Sequence, residues 1–228
     1  MGFTNSPLVN YTKISPNKTS QRNHEIDTIS IHVYVGQVSV EDMGAWFVQK
    51  AAQASSNYGV GKDGRIGMFV EEKDRSWCTS SSSNDHRAIT IEVACDTSHP
   101  YKVNDVAYKA LIELVADICK RNNIKELKWK GDKSLIGQVD KQNMTVHRWF
   151  AAKACPGDYL YNLHGQIAKE VNAKLNGSAN GVESSSNILY RVQVGAFSVK
   201  ANAEKMLAKL KADGYDGIIK TEAVNKTP

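Results

Sequence analysis

The chain has 228 residues, of which 41% are hydrophobic and 23% charged, and its formal net charge is +5. That length holds one ordinary domain with a sizeable core plus a smaller one. No apolar run reaches the roughly 18 residues that span a bilayer, which excludes insertion as a helix. The basic excess is spread along the chain rather than gathered into the footprint that nucleic-acid binding requires.

The first 27 residues lack a basic segment followed by an apolar one, so no secretory signal is expected. In "DTISIHVYVG" (27–36), Ile29, Ile31, Val33 and Val35 alternate with Ser30, His32 and Tyr34, which predicts a half-buried strand with an imidazole on its polar face. The segment 40–56 reads as a helix interrupted by Gly44. "GVGKDGRIGMFVEE" predicts a hairpin turning at Asp63-Gly64, because the turn needs a positive φ. "RAITIEVACD" (87–96) alternates again, with Ile89, Ile91 and Val93 opposite Thr90 and Glu92.

Helices are expected at 105–122, with Val106, Leu111, Val115 and Ile118 near a 3.6-residue period, and at 159–175. Strands and helices do not alternate strictly. The fold class is therefore α/β, with a mixed central β-sheet flanked by helices. This main domain covers 1–175. Residues 176–187, "NGSANGVESSSN", lose their apolar content and read as a flexible linker. The tail 188–228 reads as strand, helix, strand, with Ala203, Met206, Leu207 and Leu210 as the helix's apolar stripe and Gly214 as its stop.

Cys78, Cys95, Cys119 and Cys155 are too dispersed for a disulfide framework and read as reduced thiols, Cys119 as a buried one within a helix. Cys155, in "VHRWFAAKACPGDYL", is open to three readings: a nucleophile beside His147, a metal ligand beside His147, or a small buried side chain. Its place before Pro156-Gly157, rather than at a helix start, favours the metal. His32, His147 and Cys155 make a set of two nitrogens and one sulfur suited to a catalytic zinc ion. If the two alternating strands are neighbours, Glu92 lies on the same face as His32, where a general acid/base would stand. Lys153 is either an oxyanion-stabilising ammonium or a solvated loop lysine.

The blocks "IDTISIHVY", "SSNYGVGKDGRIGMFVEEKDRSWCTSSSSNDHRAITIEVA" and "MTVHRWFAAKACPGD" resemble the zinc-dependent N-acetylmuramoyl-L-alanine amidases of type 2, over roughly residues 20–175. That family includes phage endolysins and bacterial autolysins, and shares its fold with peptidoglycan recognition proteins. The resemblance implies one Zn²⁺ held by His32, His147 and Cys155, with Glu92 as base and Lys153 as catalytic lysine. It implies peptidoglycan as the partner and cleavage of its muramoyl–L-alanine amide. Where some branches carry a catalytic tyrosine, this chain has Ser56. Tyr58 and Trp77 are expected to contact substrate or to pack. Cys78 stands where many members have histidine. A non-catalytic peptidoglycan-binding protein of the same fold is the alternative. The tail resembles part of a SPOR module, which implies binding to glycan strands. A monomer is expected, acting on the cell wall after endolysin-like release or non-classical export.

Overall fold

In the computed structural model, residues 2–177, 194–212 and 218–221 are described. The chain divides into two compact units, 1–184 and 185–228.

The first unit runs β1 (Tyr11–Thr12), β2 (Lys18–Thr19), β3 (Thr28–Val35), α1 (Val40–Phe47), β4 (Tyr58–Val60), β5 (Ile66–Met68), β6 (Arg75–Ser76), α2 (Ser82–Arg87), β7 (Ala88–Cys95), α3 (Asp105–Arg121), β8 (Met144–Thr145) and α4 (Gly157–Leu175). Six strands form one sheet in the order β1-β5-β4-β7-β3-β8, and β2 pairs with β6 in a small second sheet. Within the main sheet only β4 and β5 run antiparallel. They form the expected hairpin, with Gly64 at φ +80° in its turn.

The apolar face of β3 and β7 carries Ile29, Ile31, Ile89, Ile91 and Val93. These pack with Leu111, Leu114, Val115 and Ile118 of α3 and with Leu160, Ile167 and Val171 of α4, all buried. Burying a side chain of this size contributes about 1.5–3 kcal/mol. Asn104 caps α3 by accepting from the Ala107 amide at 2.9 Å. Val106 stays 56% exposed, so the α3 stripe begins at Ala107 instead. Val40, Met43 and Phe47 of α1 form a separate cluster with Phe69 and Ala94.

Two expectations about secondary structure change. The helix beginning at Val40 stops at Phe47 rather than continuing to 56. Ser15 donates to the Phe47 carbonyl, and the Asn17 amide donates to the carbonyls of Phe47, Gln49 and Ala54. Side chains thereby take carbonyls that another helical turn would have used. The polar face of the central strands is not open to water either: Ser30, His32 and Thr90 expose none of their surface. Ser56 donates to the Thr90 carbonyl at 2.9 Å, and the Ser76 and Thr90 hydroxyls lie 2.7 Å apart, so hydroxyls satisfy one another in a buried polar layer.

In the second unit, α5 (Lys200–Ala212) forms, and Ala203, Met206, Leu207 and Leu210 are its partly buried residues. The described residues on either side, 194–199 and 218–221, contain no strand. The rest of the expected strands, Gly214 and all but the first two residues of the expected linker lie outside the described residues.

Candidate active site

Strand register builds the site around His32. In the parallel pair β3–β7, His32 stands opposite Glu92. On the other side Ser30 stands opposite Thr145 of β8. Continuing that register two residues brings His147, which opens a short 3₁₀ turn (His147–Trp149), to the flank of His32. The two imidazole centroids are 5.3 Å apart.

Cys155 reaches the same point because Arg148 folds its loop back. The Arg148 amide donates to the Cys155 carbonyl at 3.1 Å, and its guanidinium donates to the Ala154 carbonyl at 2.6 Å and to Asp158 at 3.0 Å. That guanidinium also lies 4.7 Å from the centre of the Tyr161 ring. The thiol ends 3.4 Å from His32 Nδ1. Gly157, at φ +73°, permits the turn into α4, because a Cβ there would lie 2.8 Å from the Tyr101 Cβ.

The donor atoms of His32, His147 and Cys155 all lie within 4.8 Å of one another. Sulfur and nitrogen donors on one tetrahedral ion stand about 3.6 Å apart, so the His32–Cys155 spacing already suits zinc. The Ser30 hydroxyl donates to the Thr145 carbonyl at 3.3 Å, which leaves its lone pairs to accept from His32 Nε2 at 3.0 Å. That network puts the ring proton on Nε2 and directs the Nδ1 lone pair toward Cys155. Ser80 Oγ lies 3.1 Å from His147 Nε2.

Burial favours the uncharged form of each group. It holds His32 well below the usual imidazole range, with His147 and His164 adding repulsion. It lowers His147 as well, helped by the charge of Lys153. The Cys155 thiol is pushed up by burial and by Glu92. Neutral imidazoles are ready ligands, whereas the thiol needs a nearby cation to ionise. Burial raises the Glu92 carboxyl to about 7, partly offset by a hydrogen bond from Cys78. A carboxyl there can both take and return a proton near neutrality.

Lys153 is exposed on the loop two residues before Cys155. Trp77 is partly buried, and its indole donates to Thr19 at 2.9 Å. Tyr58 is not a substrate contact: it is fully buried, its hydroxyl donates to Glu72 at 2.7 Å, and the Ser6 amide donates to it at 2.9 Å. The run of serines at 80–83 looks like a loop in the sequence, and nothing in it singled out Ser80 as a partner of His147. The alternation in 27–36 marks Ser30 only as a polar-face residue.

The family model described as N-acetylmuramoyl-L-alanine amidase matches residues 21–158, and that of the SPOR domain matches residues 186–227. The sporulation-specific N-acetylmuramoyl-L-alanine amidase of Bacillus subtilis (strain 168) is 44% identical over 50 residues, 19% of this chain and 20% of that protein. The match thus spans only a fifth of that relative's length. Among solved structures, PlyL aligns with a TM-score of 0.53 at 14% identity, over 75% of this chain and 97% of its own. A mutant endolysin from Bacillus subtilis aligns at 0.51 and 16% identity, over 72% and 99%. The selenomethionine AmpD derivative gives 0.50 and 16%, over 75% and 99%. At these identities the solved structures speak for the fold, while the matched family model covers more than half of the sequence and includes all of the residues gathered around His32: this chain belongs to the N-acetylmuramoyl-L-alanine amidase family.

Proposed function

We propose that the chain hydrolyses the amide between the lactyl group of N-acetylmuramic acid and the L-alanine of the peptidoglycan stem peptide, using one zinc ion held by His32, His147 and Cys155. The observation that carries this reading is the convergence of these three donors beside a carboxyl raised to about 7. A bound zinc ion supplies Lewis acidity for the carbonyl and for water, whose pKa it can bring to about 7. Glu92 accepts the proton of the attacking water and returns it to the leaving amine nitrogen. The Lys153 ammonium offsets negative charge developing on the carbonyl oxygen. Ser30 keeps the His32 proton on Nε2, so that the Nδ1 lone pair would be free to hold the ion.

Residues 1–175 form the catalytic domain in this reading, 176–187 the linker and 188–228 a module that holds the enzyme on glycan strands. The SPOR match supports the last assignment. The outcome is cell-wall cleavage, with lysis as its biological use.

Digesting purified peptidoglycan with and without a chelator tests the proposal. New alanine amino termini, lost on chelation and restored by zinc, are expected. New reducing ends in their place, or full activity in the metal-free protein, would refute it.

A further inference from the structure

Two sets of three donors share one ring. Besides His32, His147 and Cys155, the ligand atoms of His32, Cys78 and Glu92 also lie within 4.8 Å of one another. Cys78 Sγ is 3.8 Å from Glu92 Oε1, against about 3.5 Å for sulfur and oxygen donors on one tetrahedral ion. The second carboxylate oxygen, Oε2, is buried without a hydrogen-bond partner. A buried acceptor left unmatched is destabilising, and a cation would satisfy it.

Cys78 is held in place from behind. Its amide donates to Asp85 at 3.1 Å, and the neighbouring Thr79 donates to the same carboxylate through its amide at 3.2 Å and its hydroxyl at 2.6 Å. Asp85 itself is almost fully buried. The thiol is therefore presented to Glu92 by a fixed strip of backbone.

His32 has one ring lone pair to offer, because Nε2 carries the proton that Ser30 accepts. One lone pair binds one ion. We propose that Cys78, Glu92 and His32 form a second seat for a thiophilic divalent cation, and that this seat and the first exclude each other. An ion in the second seat takes both Glu92 and His32 from the proposed reaction, which makes it a resting, inactive position. The inference rests on the proposed function through the shared His32 and Glu92.

The full chain, stripped of metal, is titrated with Co²⁺, whose sulfur-to-cobalt absorption reports thiolate ligation. The wild type is expected to take one equivalent with a sulfur band. Cys155→Ala is expected to keep one equivalent and a sulfur band, now from Cys78, and the double variant Cys155→Ala/Cys78→Ser to lose the band. Cys155→Ser repeats the measurement should the alanine variant fail to fold. A Cys155 variant without a sulfur band, a band that survives in the double variant, or two sulfur-ligated equivalents in the wild type would each overturn the two-seat arrangement. Wild-type protein that fails to release alanine termini yet shows these spectra would sink the proposed reaction and leave the second seat standing.

Discussion

Replacing Ser30 by alanine isolates the control of the His32 tautomer. The hydroxyl accepts from Nε2 at 3.0 Å and donates to the Thr145 carbonyl at 3.3 Å, and neither side chain exposes any surface. Removing it leaves a buried N–H unmatched, at about 1–3 kcal/mol of stability. It also frees the ring proton to move to Nδ1, the nitrogen that faces Cys155. Loss of an orienting partner behind a metal-ligating histidine typically weakens metal binding about 10- to 100-fold, or about 1.4–2.7 kcal/mol. Zinc affinity of Ser30→Ala, measured against a competing chelator, should fall by that factor, and the urea midpoint of the metal-free protein should fall with it. Ser56→Ala is the control, because it removes an equally buried hydroxyl that bonds to the Tyr58 and Thr90 carbonyls instead. It should lower stability and leave metal affinity within about 2-fold, since no partner of a ligating ring is lost. If Ser30→Ala binds zinc as the wild type does, or if Ser56→Ala weakens binding equally, the tautomer argument is wrong.

Lys153→Ala should keep its zinc and its folding midpoint while the rate of peptidoglycan hydrolysis falls about 10²–10³-fold; a rate within about 2-fold of wild type would return Lys153 to the role of a solvated loop residue. Gly157→Ala forces a Cβ to within 2.8 Å of Tyr101 and 3.0 Å of the Pro100 carbonyl oxygen at positive φ. Left-handed strain and overpacking together should cost about 2–4 kcal/mol in urea unfolding, and a shift below about 0.5 kcal/mol would contradict the close approach. His164 is buried, and desolvation lowers its pKa from 6.5 to about 4. The unfolded chain therefore binds this proton first as pH drops, so the contribution is complete above about pH 6.5 and is lost progressively as pH falls toward 4. The shift corresponds to about 3 kcal/mol. Urea midpoints of His164→Phe should accordingly fall less between pH 7 and pH 4.5 than those of the wild type; parallel curves would remove His164 as the cause.

Alternation in 27–36 and 87–96 was enough to place His32 and Glu92 on corresponding faces of two strands, and the ordered motifs were enough to name the family. Both are local or pattern properties of the residues. The Asp63-Gly64 turn was legible for the same reason, because turn chemistry is settled within a few positions, whereas the Asn104 cap that starts α3 emerged only from the structure. What alternation could not show is what lies on top of a strand. Period-2 patterning marks two faces, and burial of the polar one depends on distant segments that bring hydroxyls to match it, as Ser56 and Ser76 do for Thr90. The early stop of α1 has the same origin, since the groups that take its last carbonyl come from Ser15 and Asn17, some 30 residues away. Residue identity alone thus determined which side chains are able to ligate and catalyse. Tertiary structure decided which of them meet: the β3–β7 and β3–β8 registers set Glu92 and His147 on either side of His32, and Arg148 returns Cys155 to its Nδ1. It also carried Cys78 to Glu92 and removed Tyr58 to the core, because hydrogen bonds and packing between remote segments choose among exposures that the local sequence leaves equivalent.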